Sequence, residues 1–278
     1  MPDVRRRELI ALLGGAAAAW PYTVCAQQPD GRVRALLSRI LRMQAEGLAD
    51  KIDQFIEGIR SQVGWTVQLR WPSGTIEARR FDSLRLLRQA PAVLDIAQLD
   101  STGKEQLRVS RVAMDAMTKA DLSSEPKFTE AVAKGVYYGP AYFREIDQAD
   151  PPTVLPCVTL SVAGARREAG VSVAEVSLKP VQEMVSSTKV GDHGAAYVVD
   201  IARRVIAHSD VTMVQRDFSS LAHLQPARAA SSGPASGMAQ VARDRSRREV
   251  LASSAPVSKL GWLVVVELPL AEAEAPAQ

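Results

Sequence analysis

The chain has 278 residues, with 34 lysines and arginines against 31 aspartates and glutamates, and a net charge of +3. This balance argues against a nucleic-acid binder, which concentrates cations on one face. Apolar residues make up 46% and charged residues 23%, as in ordinary globular proteins, so disordered, collagen-like and disulfide-scaffold classes are excluded. No apolar run approaches the roughly 18 residues of a membrane span.

The first 26 residues have the pattern of a secretory signal peptide. Three arginines at 5–7 precede a weakly apolar core at 9–19, and the small residues at 24–26 offer a cleavage site. The arginines also resemble the start of a twin-arginine signal. We therefore expect an exported, periplasmic protein, with association with the plasma membrane left open. A cytoplasmic basic helix and a lipid anchor on Cys25 are the weaker alternatives.

The middle of the chain changes its hydrophobic period several times. Apolar residues recur at helical spacing from 33 to 59, which predicts one long helix over 30–60. Residues 65–71 alternate apolar and polar side chains, which predicts a strand directly after it. Further on we predict a hairpin over 93–99 and 105–112, a short helix over 128–134 ending at Gly135, and strands over 136–143, 154–162 and 170–178.

A connecting helix is predicted over 180–189, followed by a second block. This block contains a hairpin over 195–200 and 205–208, a surface loop over 226–237, strands over 250–257 and 262–268, and a short tail at 270–278. Hairpins dominate, and the strand–helix–strand repeats of a parallel sheet are absent. The sequence therefore predicts an α+β fold with two mixed or antiparallel sheet modules, over 61–178 and 191–269.

Several segments resemble bacterial double Cache sensor domains. Those similar to the membrane-distal half lie at 99–105, 128–135, 136–143 and 170–178. Those similar to the membrane-proximal half lie at 194–200, 205–210, 216–221, 248–256 and 260–269. The resemblance covers roughly residues 30–270. It implies two PAS-like halves beside one long N-terminal helix.

The resemblance also implies a function. Similar domains form the extracytoplasmic part of histidine kinases, nucleotide cyclases and chemoreceptors, so we expect a small organic ligand and a membrane receptor, kinase or cyclase as partner. A homodimer through the N-terminal helix is also expected, and nucleic acid is not. We interpret the chain as a sensing module without its own output domain. A solute-binding protein with two larger α/β lobes, or an exported hydrolase with clustered catalytic groups, are the alternatives.

The candidate ligand site centres on the strand at 136–143. Tyr137, Tyr138 and Tyr142 with Arg144 concentrate aromatic and cationic groups, and Arg144 would bind a carboxylate. Alternation predicts that Tyr138 and Tyr142 share a face and Tyr137 opposes them. Otherwise the tyrosines would pack in the strand core with their hydroxyls at its edge. The predicted site consists of Tyr138, Tyr142, Arg144, Thr159, Ser161 and Glu175.

The chain departs from the family pattern at four places. Two are hairpin tips, at 201–204 (Ile-Ala-Arg-Arg) and at Arg247, where a glycine is usual. Because arginine with a positive φ is strained, we expect both turns to differ locally. Residues 125–128 (Glu-Pro-Lys-Phe) replace the Arg-x-Trp-Tyr of the amino-acid-binding subgroup, and Glu175 replaces its aspartate. We therefore do not expect an amino-acid receptor using that element.

The sequence gives little support for a catalytic site, a metal site or a bound cofactor. No hydrolase, metalloprotease or phosphate-loop motif is present. We interpret His208 as a packed, hydrogen-bonded structural residue, and a metal site with the aspartates near His193 and His208 as the weaker alternative. Cys157, within an apolar run, is expected to be a buried small hydrophobe. The basic run at 243–248 is expected to form a solvated loop or hairpin tip, with contact to anionic lipids as the alternative.

Overall fold

The structure, a computed structural model, describes residues 29–68, 75–112, 120–146, 153–214, 239–244 and 246–274. The helices are α1 (Pro29–Val67), α2 (Ile76–Gln89), α3 (Pro126–Lys134), α4 (Lys179–Ser186) and α5 (Leu270–Ala273). The strands are β1 (Val93–Leu99), β2 (Glu105–Ser110), β3 (Val136–Ile146), β4 (Thr153–Ala163), β5 (Val171–Ser177), β6 (Ala195–Val199), β7 (Val205–His208), β8 (Gln240–Arg243), β9 (Glu249–Val257) and β10 (Trp262–Pro269). The expected signal peptide at 1–26 and the loop at 226–237 lie outside the described residues. None of the described helices is both long and apolar enough to cross a membrane.

The described strands form two five-stranded sheets with the same topology. The first has the order β2-β1-β5-β4-β3, and the second has the order β7-β6-β10-β9-β8. All the strand pairs described in both sheets are antiparallel. The predicted α+β class with two sheet modules is thus confirmed. The sheets differ from the parallel-sheet lobes expected of a solute-binding protein.

Helix α1 lies along both sheets. It packs on β4 and β5 of the first sheet and on β9 and β10 of the second. Its buried side recurs every three or four residues, as the sequence predicts, at Leu41, Ala45, Leu48, Ile52, Ile56, Ile59 and Val63. Its first turns expose the apolar side chains of Val33, Leu36, Ile40 and Met43.

The predicted strand at 65–71 is wrong in its described part. Helix α1 continues through Val67, because Val63 and Val67 extend the buried series that includes Ile59 by steps of four residues. Trp65, which suggested alternation, points outward with 70% of its surface exposed. The helical spacing of the buried residues, and not the short alternating pattern, therefore determines the structure of residues 65–67.

Helix α2 was not predicted. Thr75 begins it as a cap, since its side chain accepts a hydrogen bond of 3.2 Å from the backbone N–H of Ala78. The helix is rich in arginine but buries Leu86 and Leu87 against the sheet. Buried Arg79 donates a hydrogen bond of 3.1 Å to a side-chain oxygen of Gln98 on β1.

Both predicted hairpins, β1–β2 and β6–β7, are confirmed. Helix α3 also ends where predicted, at Gly135, which has a φ of 82°. Strand β8 was not predicted, and it pairs with β9. Arg247 and Arg248 of the basic run therefore lie at the tip of the β8–β9 hairpin. This agrees with the prediction of a loop or hairpin tip.

The expectation that the two arginine-bearing turns differ locally is wrong. Arg203 and Arg247 have φ values of 60° and 62°, so arginine holds the left-handed conformation usually left to glycine. Asp200 and Asp244 stabilise the two tips in the same way. Each carboxylate accepts two hydrogen bonds of 2.8 Å, from the backbone N–H and the Nε of the arginine four residues later.

Candidate ligand-binding site

The first sheet has two faces with different partners. Helices α1 and α2 pack on one face, and α3 packs on the other, which we call the α3 face. Phe128 and Ala131 of α3 are buried there against apolar residues of β1 and β5. Because side chains alternate along a strand, every second residue of each strand belongs to the α3 face.

A β-bulge in β3 decides which tyrosines reach the α3 face. Tyr138 and Ala141, three residues apart, pair with residues 160 and 158 of β4, which are only two apart. The extra residue reverses the alternation, so Tyr137 and Tyr142 reach the α3 face while Tyr138 packs on the α1 side. The prediction that Tyr138 and Tyr142 share a face, opposite Tyr137, is therefore wrong. Tyr138 is the predicted site residue that the structure does not bring to the others.

A row of polar side chains, which we call the polar row, crosses the α3 face. In the strand register, Ser110 lies beside Asp95, Asp95 beside Glu175, and Glu175 beside Thr159. Tyr142 and Arg144 of β3 reach the same row. Ser161 lies two residues beyond Thr159 on the same face, fully buried, and its Oγ makes no hydrogen bond. The structure thus brings the other predicted site residues to one face.

Charged contacts hold the polar row together. The Nη1 atom of Arg144 lies 2.6 Å from Oδ2 of Asp95 and 3.5 Å from Oε2 of Glu175. The Tyr142 hydroxyl donates to the same Glu175 oxygen, and the Ser110 hydroxyl donates to Asp95. The contact of Arg144 with Asp95 lacks hydrogen-bond geometry, so this buried nitrogen donates no hydrogen bond. It can therefore donate a hydrogen bond to an acceptor atom of a bound ligand.

The polar row places carboxylates and cationic side chains next to one another. Burial raises the pKa of Glu175 above its usual value, and the nearby charge of Asp95 adds to the rise. Beside them, Arg108 donates hydrogen bonds of 3.1 and 2.6 Å to Glu105. Lys127 of α3 also acts on Glu175 and opposes the rise in its pKa. The carboxylates of Asp95, Glu105 and Glu175 are therefore balanced by Arg108, Arg144 and Lys127.

Asp95, Glu105 and Arg108 were not among the predicted site residues. Asp95 stands in a fully buried, mostly apolar strand and is only 4% exposed. Charged side chains are rarely buried unless they are paired. A charge inside an apolar strand was therefore a usable signal for Asp95, whereas the strand register that places Arg108 could not be read from the sequence.

Two predicted structural roles are confirmed. The ring of His208 stacks on Tyr197 with 5.6 Å between ring centroids, and its Nδ1 accepts a 2.9 Å hydrogen bond from the backbone N–H of Asp210. Cys157 is fully buried, and burial raises the pKa of its thiol to about 11, so it is not a thiolate at neutral pH. Within the described residues, no cluster of three His, Cys, Asp or Glu side chains could hold a metal ion. His223 lies outside them.

Two grooves open away from the polar row, near the end of α1. The larger has a volume of about 710 Å³ and lies between α1 and α2. The smaller, about 260 Å³, lies between the end of α1 and the turn at 165–169. Neither groove is lined by a residue of the polar row.

The fold and the polar row together define a protein with two PAS-like sheet modules, joined by one long helix and carrying a polar site on the first. Residues 31–277 match the Cache domain family, and the chain belongs to this family. The match confirms the resemblance to double Cache domains.

Solved structures show the same fold. The sensory domain of the Campylobacter jejuni chemoreceptor Tlp3 with isoleucine bound is 13% identical, with a TM-score of 0.62, covering 90% of this chain and 100% of that one. The ligand-binding domain of the Pseudomonas aeruginosa PAO1 amino acid chemoreceptor PctB in complex with L-Gln is 19% identical, with a TM-score of 0.62, covering 86% and 93%. No curated protein sequence matches the chain.

Proposed function

We propose that the chain is the ligand-sensing domain of an extracytoplasmic signalling system and binds a small organic molecule on the α3 face without reacting with it. The polar row carries this proposal. Its buried Arg144 nitrogen lies against two carboxylates yet donates no hydrogen bond. The ion pair with Asp95 compensates the charge of this nitrogen but not its missing hydrogen bond, which a ligand acceptor would supply.

The charges of the polar row specify the ligand further. The carboxylates of Asp95 and Glu175 favour an amine, and Arg144 favours a carboxylate or carbonyl oxygen. A molecule carrying both groups matches the amino acids held by the Tlp3 and PctB domains. Residues 125–128 of this chain are Glu-Pro-Lys-Phe. Recognition would therefore depend on Arg144 rather than on an Arg-x-Trp-Tyr element.

A thermal-shift screen of the purified protein tests the proposal. Amino acids, amines, carboxylates and purines are each added at millimolar concentration, and the unfolding temperature is recorded. A ligand present at 100 times its dissociation constant should stabilise the protein by about 2.7 kcal/mol. We expect compounds with both an amine and an acceptor to stabilise it most. A screen in which no compound raises the unfolding temperature would contradict ligand sensing.

The wider assembly follows from the same proposal. The expected export signal and membership of the Cache family support a periplasmic location, with a membrane receptor, kinase or cyclase as signalling partner. Cell fractionation tests the location. The exposed apolar side chains at the start of α1 support a homodimer through this helix. Light scattering in solution tests it, and a strictly monomeric protein at high concentration would contradict it.

A further inference from the structure

The larger groove, on the side of the first sheet opposite the α3 face, is lined by one full face of each of two helices. Helix α1 contributes Gln62, Trp65, Thr66 and, just after its end, Gln68. Helix α2 contributes Asp82, Arg85, Leu86 and Gln89, which follow one another at steps of three and four residues. Packed helices normally close such a seam with apolar side chains. Here the seam stays open over about 710 Å³, which is within the range of small-molecule pockets.

One buried polar atom of this groove has no partner among the described residues, whereas Thr66 donates a hydrogen bond of 2.9 Å to Ser172 of β5. The side-chain oxygen of Gln62 is buried and accepts no hydrogen bond. Within the described part of the chain, the side chains of Gln68, Arg85 and Gln89 form no hydrogen bond or ion pair, and all three are exposed to solvent. Buried polar atoms are nearly always paired in folded proteins. The buried Gln62 oxygen therefore needs a hydrogen-bond donor, and the exposed amide and guanidinium groups around it offer further donors and acceptors to a polar ligand.

The chemistry of the lining selects one ligand class. The charges of Asp82 and Arg85 balance, which favours a molecule without net charge. Three primary amides offer both donors and acceptors, which suits hydroxyl groups, because a hydroxyl also donates and accepts. Trp65, 70% exposed, provides a flat apolar surface for the C–H face of a ring. Leu86 is the one aliphatic side chain of this lining, and it is 5% exposed, so Trp65 and the carbon stems of the polar side chains provide most of the apolar surface.

We propose that this groove binds a neutral polyhydroxylated ring compound, such as a monosaccharide or cyclic polyol. The site is separate from the polar row and does not depend on the proposed function of the α3 face. A saccharide site here would give the domain a second input on the opposite side of the same sheet.

Calorimetric titration of the full chain tests the proposal, with glucose, galactose, ribose, maltose and myo-inositol as probes at up to 50 mM. We expect saturable binding of at least one probe. Trp65→Ala should weaken that binding at least tenfold, because it removes the stacking surface. Phe81→Ala is the matched control, since Phe81 is an exposed aromatic residue of α2 outside the groove, and it should leave the affinity unchanged.

Two further variants distinguish binding in this groove from binding on the α3 face. Gln62→Leu should weaken probe binding while stabilising the unliganded protein, because it removes a buried acceptor without a partner. Glu175→Gln, on the α3 face, should not change probe binding. If none of the probes binds saturably, or if binding persists undiminished in Trp65→Ala, the saccharide site is wrong, whatever the screen for the α3 face shows.

Discussion

Two arginines hold a backbone conformation that residues with a side chain rarely adopt. Arg203 and Arg247 have positive φ values at the tips of the β6–β7 and β8–β9 hairpins. The β1–β2 hairpin has the same turn with Gly103, and Asp100 accepts the backbone N–H of Lys104 as the aspartates do in the other two tips. The hydrogen bonds to the aspartate at each tip therefore stabilise the turn. Arg203 and Arg247 adopt a strained backbone conformation in it.

Replacing these arginines with glycine should stabilise the protein. The left-handed conformation costs a residue with a Cβ about 1–2 kcal/mol, partly offset by the extra freedom of glycine in the unfolded chain. We expect Arg203→Gly to raise the free energy of unfolding by about 1 kcal/mol in urea titrations. Ala202→Gly, one residue earlier in the same tip, is the control and should lower it. A loss of stability in Arg203→Gly would contradict strain at this turn.

Glu267 is a buried carboxyl group in the second sheet. The Tyr197 hydroxyl donates a 3.3 Å hydrogen bond to it, and burial, with the charge of Asp244, raises its pKa from 4.5 to about 7. Arg248 opposes the rise. The folded protein therefore keeps a proton that the unfolded chain releases above pH 4.5. Stability should fall as pH rises from 4.5 to 7.

The variant Glu267→Gln should remove this pH dependence. Above pH 7 the loss in the wild type reaches about 3 kcal/mol, from the difference between the two pKa values. The variant should thus be more stable than the wild type at pH 8 and equally stable at pH 4, in urea titrations at both pH values. Glu249→Gln, at an exposed position, is the control and should follow the wild type. Parallel pH curves for Glu267→Gln and the wild type would contradict a neutral Glu267.

At the scale of elements, a hydrogen bond joins a hairpin tip of the second sheet to strand β3. Nη2 of Arg204 donates a 3.0 Å hydrogen bond to the backbone oxygen of Ala141. Ala141 ends the bulge of β3 and directly precedes Tyr142 of the polar row. A shift of β3 on ligand binding would therefore reach the second sheet through Arg204.

The variant pair Arg204→Ala and Arg248→Ala measures this contact. Both arginines bind an aspartate in the same turn geometry, and Arg204 also reaches Ala141. Because hydrogen bonds of charged groups contribute about 1.5–3 kcal/mol, Arg204→Ala should cost about 1–2 kcal/mol more than Arg248→Ala in urea unfolding. Equal losses in the two variants would show that the contact between the modules contributes nothing.

The elements that the sequence could predict depend on local patterns. The β1–β2 hairpin follows from a short turn with Asp100 and Gly103, and α3 follows from its apolar spacing and its glycine stop. The direction of Tyr138 could not be predicted, because the bulge arises from pairing with β4. Helix α2 was missed because it is rich in arginine. One of these arginines, Arg79, is buried and donates a hydrogen bond to Gln98 on a later strand, a contact that no local pattern reveals.

At the scale of the whole molecule, helix α1 unites the two modules in one core. The largest cluster of buried apolar residues runs from Leu41 to Ala273 and includes side chains of both sheets. Ile52 and Ile56 of α1 belong to it, each at most 2% exposed. Since burial of apolar surface is the main stabilising contribution, neither sheet can lose α1 without exposing part of this core. The helix that the sequence predicts most clearly is thus the element that holds the modules together.

The candidate site was predicted only in part. Arg144 could be predicted from the aromatic and cationic cluster around it, and Glu175 from its place on a neighbouring strand. The contact of Asp95 with these residues depends on the strand register, which places it beside Glu175. Pairing between strands that are about 80 residues apart in sequence is a property of the whole fold, and no local pattern reveals it.

The central claim is that the polar row binds the ligand. Calorimetric titration of the best compound from the screen should be performed on the wild type, Arg144→Gln and Glu175→Gln, with Tyr138→Phe as a control on the opposite face. We predict at least tenfold weaker binding for Arg144→Gln and Glu175→Gln, and unchanged binding for Tyr138→Phe. Equal affinity in all four proteins would place the ligand elsewhere and contradict the account.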